Sequence, residues 1–206
     1  VLQSGTSHYF GQGFAKAFNM KFLDKDNQEK YVYQTSWGAS TRLLGALIMV
    51  HGDDNGLVLP PFVAPTQVVI VPIKNTEEVL NKCNDIALSL KNNDIRVKID
   101  DSDKSAGWKF SESEMRGIPV RIEVGPRDLE QGKCVIATRY NGEKIDFDLS
   151  GDIASYITDL FKIIHSKMYE NAYNNLKNNI SYTESFKEMC SILDEKGGFV
   201  KAPWCG

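Results

Sequence analysis

The sequence predicts an α/β chain, α+β taken overall, whose larger part is a mixed sheet covered by helices. Three observations predict it. Residues 68–73 form an apolar run that is β-branched except at Pro72, the pattern of a strand buried on both faces. Residues 76–91 follow with Val79, Leu80, Cys83, Ile86, Ala87 and Leu90 at helical spacing. Strand-like and helix-like stretches then alternate as far as residue 176, the order that lays helices over a largely parallel or mixed sheet.

Each element has its own local reason. The chain opens with LQSGTSHYFGQGFAKAF, where Gly5, Gly11 and Gly13 interrupt regular structure before a short amphipathic run at 14–18. Residues 24–30 are polar and read as a hairpin turn or loop between strands. Tyr31, Val32 and Tyr33 predict a strand, being aromatic and β-branched. Gly38 and Ala39 let another backbone or a flat ligand come close, and Ser40 and Thr41 are good helix N-caps. Residues 43–50 are almost all apolar, so their helix is expected to be buried nearly all round. GDDNG at 52–56 supplies turn chemistry. Residues 57–59 read as a short strand that Pro60 and Pro61 stop, and 62–66 as a linker packed between domains. Beyond the strand and helix at 68–91, a strand at 95–99 leads to an acidic loop at 100–104 and a helical turn at 111–116. Strands follow at 119–124, 132–138 and 144–149, then a long helix at 152–176. The chain turns polar from 178, with a helix at 185–193 and a strand at 199–201. The expected domains are 1–62, 63–165 and 166–206.

Composition narrows the function. At 206 residues and a net charge of −3, the chain is long enough to bury about 70% of its unfolded surface. Its mild acidity argues against a generally basic coat, so any RNA contact must use a local patch. No run approaches the ~20 apolar residues of a membrane helix. Cys83, Cys134, Cys190 and Cys205 are widely spaced, show no metal pair and read as reduced cytosolic thiols. The chain starts at Val1 and opens in mid-motif, so it reads as a piece of a longer protein.

Arg42 carries the sharpest local signal. It sits in the first turn of its helix, where the partial positive charge of the amino end disfavours a cation. Beside glycines and Trp37, it suggests a planar cation aimed at a planar or anionic ligand. The alternative is a surface arginine paired with Asp53 or Asp54.

The whole string TSWGASTRLLGALIMVHGDDNGLVLPP resembles the third signature motif of class II aminoacyl-tRNA synthetases, in the form found in prolyl-tRNA synthetases of the archaeal and eukaryotic type. The similarity continues through APTQVVIVPI and GIPVRIEVGPRDLE and covers most of the chain. The resemblance implies the last part of an antiparallel-sheet catalytic domain, then an α/β anticodon-binding domain, then the start of a C-terminal α/β domain. It implies that L-proline is activated with ATP and Mg2+ as substrate and passed to tRNA(Pro), in a cytoplasmic, membrane-free enzyme that is a homodimer. Such chemistry needs positioning and positive charge around a moving phosphate, not a protein nucleophile.

The resemblance also implies roles for residues. Arg42 is the catalytic candidate, lying against ATP with Gln3, Thr6 and Thr41. His8, Trp37 and Ser40 would face the prolyl group, the indole suiting the flat side of a pyrrolidine. Proline anticodons carry two adjacent guanines, whose pairing edge donates N–H groups and whose other edge offers O6 and N7. Glu114 and Arg121 are the complementary pair, with Arg127 a further cation and Lys144 at the place of the family's lysine. Without the motif, Glu114, Arg121 and Glu123 read as an ordinary surface ion-pair cluster. FVKAPWCG resembles the opening of a C-terminal domain that often holds zinc, but Cys205 stands without a partner at ligand spacing, so no zinc is expected. Two other readings remain open: a stand-alone tRNA-binding module, and a class II synthetase for threonine, histidine or glycine.

Overall fold

The computed structural model describes residues 2–204. They fall into two compact units that divide between Met49 and Val50.

The first unit is built from short ladders. Strand β1 (Thr6–Gly11) pairs antiparallel with β4 (Gln34–Gly38), with Thr6 opposite Gly38 and His8 opposite Ser36. A bulge between Tyr9 and Gly11 bends β1 into the short helix α1 (Gly13–Ala17), and Gly11 takes the left-handed conformation there (φ 55°). β2 (Lys21–Leu23) and β3 (Glu29–Tyr31) form a hairpin. Its turn is organised by Asp24, whose Oδ1 accepts from the N–H groups of Asp26 and Gln28, both at 2.9 Å. The strand predicted at 31–33 is therefore displaced. The Asp24 turn sets Tyr31 opposite Lys21 and ends β3 there, while residues 34–38 are drawn to β1.

Helix α2 (Arg42–His51) corrects a second expectation, since it has no buried residue. Its apolar composition registers a need for cover, not the presence of it. Among the described residues the unit's strands form two-stranded ladders only, too little surface to enclose a helix.

The second unit is the predicted mixed sheet. β5 (Val68–Pro72) lies parallel to both β6 (Val97–Ile99) and β7 (Val120–Val124). β8 (Lys133–Thr138) and β9 (Lys144–Asp148) continue antiparallel, giving the order β6-β5-β7-β8-β9. Helix α3 (Glu77–Asn92) is capped by Thr76, and α6 (Ile153–Asn178) by Asp152, whose carboxylate accepts from two N–H groups at 3.1 Å. Val79, Cys83, Ile86 and Leu90 of α3 share one core with Ile157, Leu160 and Ile164 of α6 and with Val68, Ile70, Val120, Ile122 and Ile136 of the sheet. Each fully buried aliphatic there contributes about 1.5–3 kcal/mol.

The alternation of side chains gives the opposite face a different character. In register across all five strands it carries Lys98, Val69, Arg121, Ala137 and Lys144. Helix α4 (Ala106–Met115) belongs to this side. It starts well before the helical turn predicted at 111–116, because Ser105 caps it by accepting from the N–H of Trp108 at 3.3 Å. α5 (Pro126–Glu130) follows β7 directly, a short turn absent from the sequence reading. Past α6, β10 (Ile180–Tyr182) pairs in parallel with β11 (Phe199–Lys201) around α7 (Phe186–Glu195).

Residues 57–59 are not a strand of any ladder. They are nonetheless held as one would be, the N–H groups of Leu57 and Leu59 donating to the carbonyls of Met115 and Gly117 at 3.0 and 3.3 Å. Two glycines make this close approach possible. A Cβ on Gly56 (φ 126°) would stand 2.6 Å from the Met115 backbone, and one on Gly117 (φ 69°) 2.6 Å from Leu57 Cβ. Gly117→Ala should therefore lower stability by at least the ~1–3 kcal/mol of a strained positive φ, read as a lower urea midpoint, while Gly132→Ala, also at positive φ but with open space around it, should cost less.

Candidate functional site

Each unit gathers side chains suited to a ligand. In the first unit, a cavity of about 310 Å3 is lined by Gln3, Gly5, Thr6, Gly38, Ser40 and Arg42, among others. The ladder creates it. With Thr6 opposite Gly38, the preceding loop folds back on β4, and a Cβ on Gly5 would stand 3.3 Å from the Gly38 carbonyl. Gln3 Nε2 donates to Thr6 Oγ1 at 3.0 Å, and the Arg42 N–H to Ser40 Oγ at 3.4 Å. The lining contains no acid. Its one cation, Arg42, adds to the positive end of α2, a field that favours a negative ligand. Asp53, the alternative partner for this arginine, is taken by Arg139 instead.

Gln3, Thr6, Ser40 and Arg42 are thus brought together. The other three residues singled out in this region are not on the lining. His8 lies two positions beyond Thr6 on the same face of β1, stacked on Phe10 at 5.4 Å. Opposite it stands Ser36, a polar residue on that face that the sequence reading passed over. Trp37 pairs with Ser7, which turns it to the other face of the ladder, 82% exposed. Thr41 precedes α2 and accepts from the Leu44 N–H through its carbonyl.

In the second unit, the charged face of the sheet meets α4. Arg121 is the centre. Its Nε donates to Glu123 Oε1 at 3.0 Å, and its Nη1 to Glu114 Oε1 at 2.9 Å and Ser113 Oγ at 3.3 Å. Its guanidinium also lies 4.2 Å from the centre of the Phe110 ring. Lys144 Nζ reaches Glu123 at 3.0 Å and sits 5.2 Å from the same ring. Arg121 and Glu123 are buried, with side chains 8% and 9% exposed, whereas Glu114 and Lys144 keep access to solvent. The Nη2 end of Arg121 has no partner among the described residues. This is more than a surface ion-pair cluster, because its middle is desolvated and its rim is open.

A cleft of about 90 Å3 opens between Glu114, Arg121, Thr138, Arg139 and Lys144. That is well under the ~300–1,000 Å3 of a pocket enclosing a whole small molecule, so it suits the edge of a flat group. Carboxylate, guanidinium and ammonium together can meet N–H donors and carbonyl acceptors on one edge. Arg127 is not part of it. It stands exposed on α5 with no recorded partner among the described residues.

Arg139, Phe110 and Ser113 were missed from sequence. Phe110 lies four residues before Glu114 and so on the same helix face, a signal that required α4 to be read as starting at its Ser105 cap. Arg139 steadies Glu114 by donating from Nε to its backbone carbonyl at 2.9 Å, while its fork grips both oxygens of Asp53 at 2.8 and 2.5 Å. That grip holds the Asp53 carboxyl down at about 2.

Among the described residues, no three His, Cys, Asp or Glu side chains gather as a metal site, and Cys205 lies outside them. No helix among them is long and apolar enough to cross a membrane.

The chain is similar to known proteins along its whole length. Residues 67–159 match the anticodon binding domain family. The whole chain is 53% identical to a proline–tRNA ligase of Lachnoclostridium phytofermentans and 49% to that of Ruminiclostridium cellulolyticum, in each case spanning 43% of the relative's length. Among solved structures, a crystal structure of prolyl-tRNA synthetase from Cryptosporidium parvum, complexed with L-proline and AMP, superposes with a TM-score of 0.85 at 40% identity. It covers 99% of this chain and 44% of its own.

The Asp53–Arg139 fork makes a prediction about acid. An unfolded aspartate titrates near ~3.9, and a carboxyl held at about 2 in the folded chain contributes stability that is complete above the unfolded value and disappears as pH falls through the folded one. The thermal midpoint of the native chain should therefore exceed that of Asp53→Asn above about pH 4, and the gap should close towards about pH 2.

Proposed function

We propose that this chain, whose residues 67–159 match the anticodon binding domain family and which is similar throughout to proline–tRNA ligases, works as the motif-3 and anticodon-reading part of such an enzyme. The observation that carries the reading is the Glu114–Arg121–Lys144 cluster, desolvated at its centre and open at its rim. In this reading the cluster reads the two adjacent guanines of the tRNA(Pro) anticodon. The free oxygen of Glu114 accepts from a guanine pairing edge, and the unpartnered end of Arg121 with Lys144 donates to O6 and N7. Arg121 also acts as the brace that keeps both carboxylates aimed.

The cavity around Arg42 then receives the nucleotide, with Gln3 and Thr6 around ATP, Thr41 beside them, and Ser40 and His8, further along the same face of β1, towards proline, while Trp37, on the other face of the ladder, is left out of this reading. Its cation faces the charge that develops as pyrophosphate leaves, while Mg2+ travels with ATP as part of the substrate. The full enzyme joins L-proline to tRNA(Pro) in the cytoplasm as a homodimer, and residues 1–62, 63–165 and 166–206 divide as catalytic, anticodon-binding and C-terminal parts. Arg127, exposed on α5, adds a contact to the RNA backbone in this reading.

Two measurements test it. A stem-loop carrying the proline anticodon should bind the chain more tightly than one with either guanine replaced by adenine, by the ~1–3 kcal/mol of a good bidentate contact, and Glu114→Ala should abolish that difference. Equal binding of all stem-loops would overturn the assignment. In the full-length enzyme, Arg42→Ala should cut proline-dependent exchange of pyrophosphate into ATP by ~100-fold or more, whereas the chain alone should show no exchange.

A further inference from the structure

A second cavity in the same unit plays no part in the reading above. It lies against the β5–β6 side of the charged face beside α4, and its volume is about 510 Å3, within the ~300–1,000 Å3 range of ligand pockets. Its lining carries Lys98, Lys104, Lys109 and Trp108. Lys98 is the outermost member of the row that continues through Val69 to Arg121.

The charge balance of this lining leans positive. Lys98, Lys104, Lys109 and Arg116 line it with two acids: Glu112 is paired with Arg116, accepting from its Nε at 2.6 Å, while Asp100, whose Oδ1 accepts from the Ser102 N–H and hydroxyl at 3.3 and 2.7 Å, keeps its charge. Among the described residues none of the three lysine ammonium groups meets a carboxylate. Lys104 is held 5.7 Å from the centre of the Trp108 ring. Lys109 packs its stem against the protein, the residue being only 2% exposed, and no carboxylate meets its ammonium among the described residues. An ammonium at a cavity wall without a carboxylate partner favours an anion there. Trp108 is half exposed and offers a flat face beside these charges, the pairing of stacking surface and cation that nucleotides use.

We infer that this cavity takes a nucleotide unit, its phosphate met by the lysines and its base laid against Trp108. The cavity adjoins the Arg121 cluster through Ser113, which lines it and whose hydroxyl accepts from Arg121. An RNA strand engaged by that cluster therefore passes its mouth, and a free nucleotide offers the same chemistry. Only the choice of RNA as the source rests on the anticodon reading.

The chain is titrated with GMP and, separately, with anticodon stem-loops with and without guanines, using the native protein, Lys109→Met and Trp108→Ala. Each variant should weaken binding about tenfold, and Lys109→Met should lower the salt dependence of stem-loop binding by ~1 on the log–log slope. The loss should be equal for both stem-loops, unlike that of Glu114→Ala, so absence of guanine preference defeats the anticodon reading and leaves this test standing. Loss of stem-loop binding identifies RNA as the source, and loss of GMP binding alone a free nucleotide. Folded variants, including the exposed Lys98→Ala, that bind both probes as the native chain does overturn the inference.

Discussion

The second unit's site depends on one desolvated guanidinium. Arg121 stands on the central strand β7 and holds two carboxylates from different elements, Glu123 on its own strand and Glu114 on α4. Breaking a buried pair of this kind costs ~3–5 kcal/mol, because the abandoned charges stay out of water. The pairing therefore does more than neutralise charge. It fixes α4 over the sheet, sets the Phe110 ring against the guanidinium, and through Glu123 brings in Lys144 from the edge strand β9. A lysine in place of Arg121 has no planar fork to serve both carboxylates at once.

This arrangement is possible because the sheet is strongly two-sided. Val120, Ile122 and Val124 point into the core shared with α3 and α6, while Arg121 and Glu123 between them point the other way. A one-residue slip of β7 would exchange the two sets and bury charges in the core, so the hydrophobic face enforces the register on which the site depends. The Asp53–Arg139 fork and the glycine contacts at 56 and 117 add a second fastening, tying the segment before Leu59 to the carboxyl end of α4.

Several elements were legible because local chemistry and tertiary demand agree. Residues 68–73 became β5 and 76–91 became α3 within a residue or so, since an apolar run led by four β-branched residues and a Thr-capped amphipathic run admit few alternatives. Where a distant partner decides, legibility fails. The strand at 31–33 was displaced by a turn five residues upstream and by the pairing of β1. Residues 57–59 donate to α4's end without joining a sheet. The start of α4 was lost in a polar, aromatic stretch of weak periodicity, and with it Phe110. Helix α2 shows the complementary limit: composition states that a surface is apolar, and only neighbours determine whether it is covered.

The motif string alone was enough to single out Arg42, Gln3 and Thr6 and the pair Glu114 and Arg121, because ligand chemistry restricts residue type and order along the chain. The folded chain alone decided which of these meet. It joined Ser40 to the first group, turned Trp37 to the opposite face, left Arg127 outside the second, and added Arg139 and Phe110. Residue type is a property of each position, whereas proximity comes from strand register and helix placement, which are settled by the packing of the whole core.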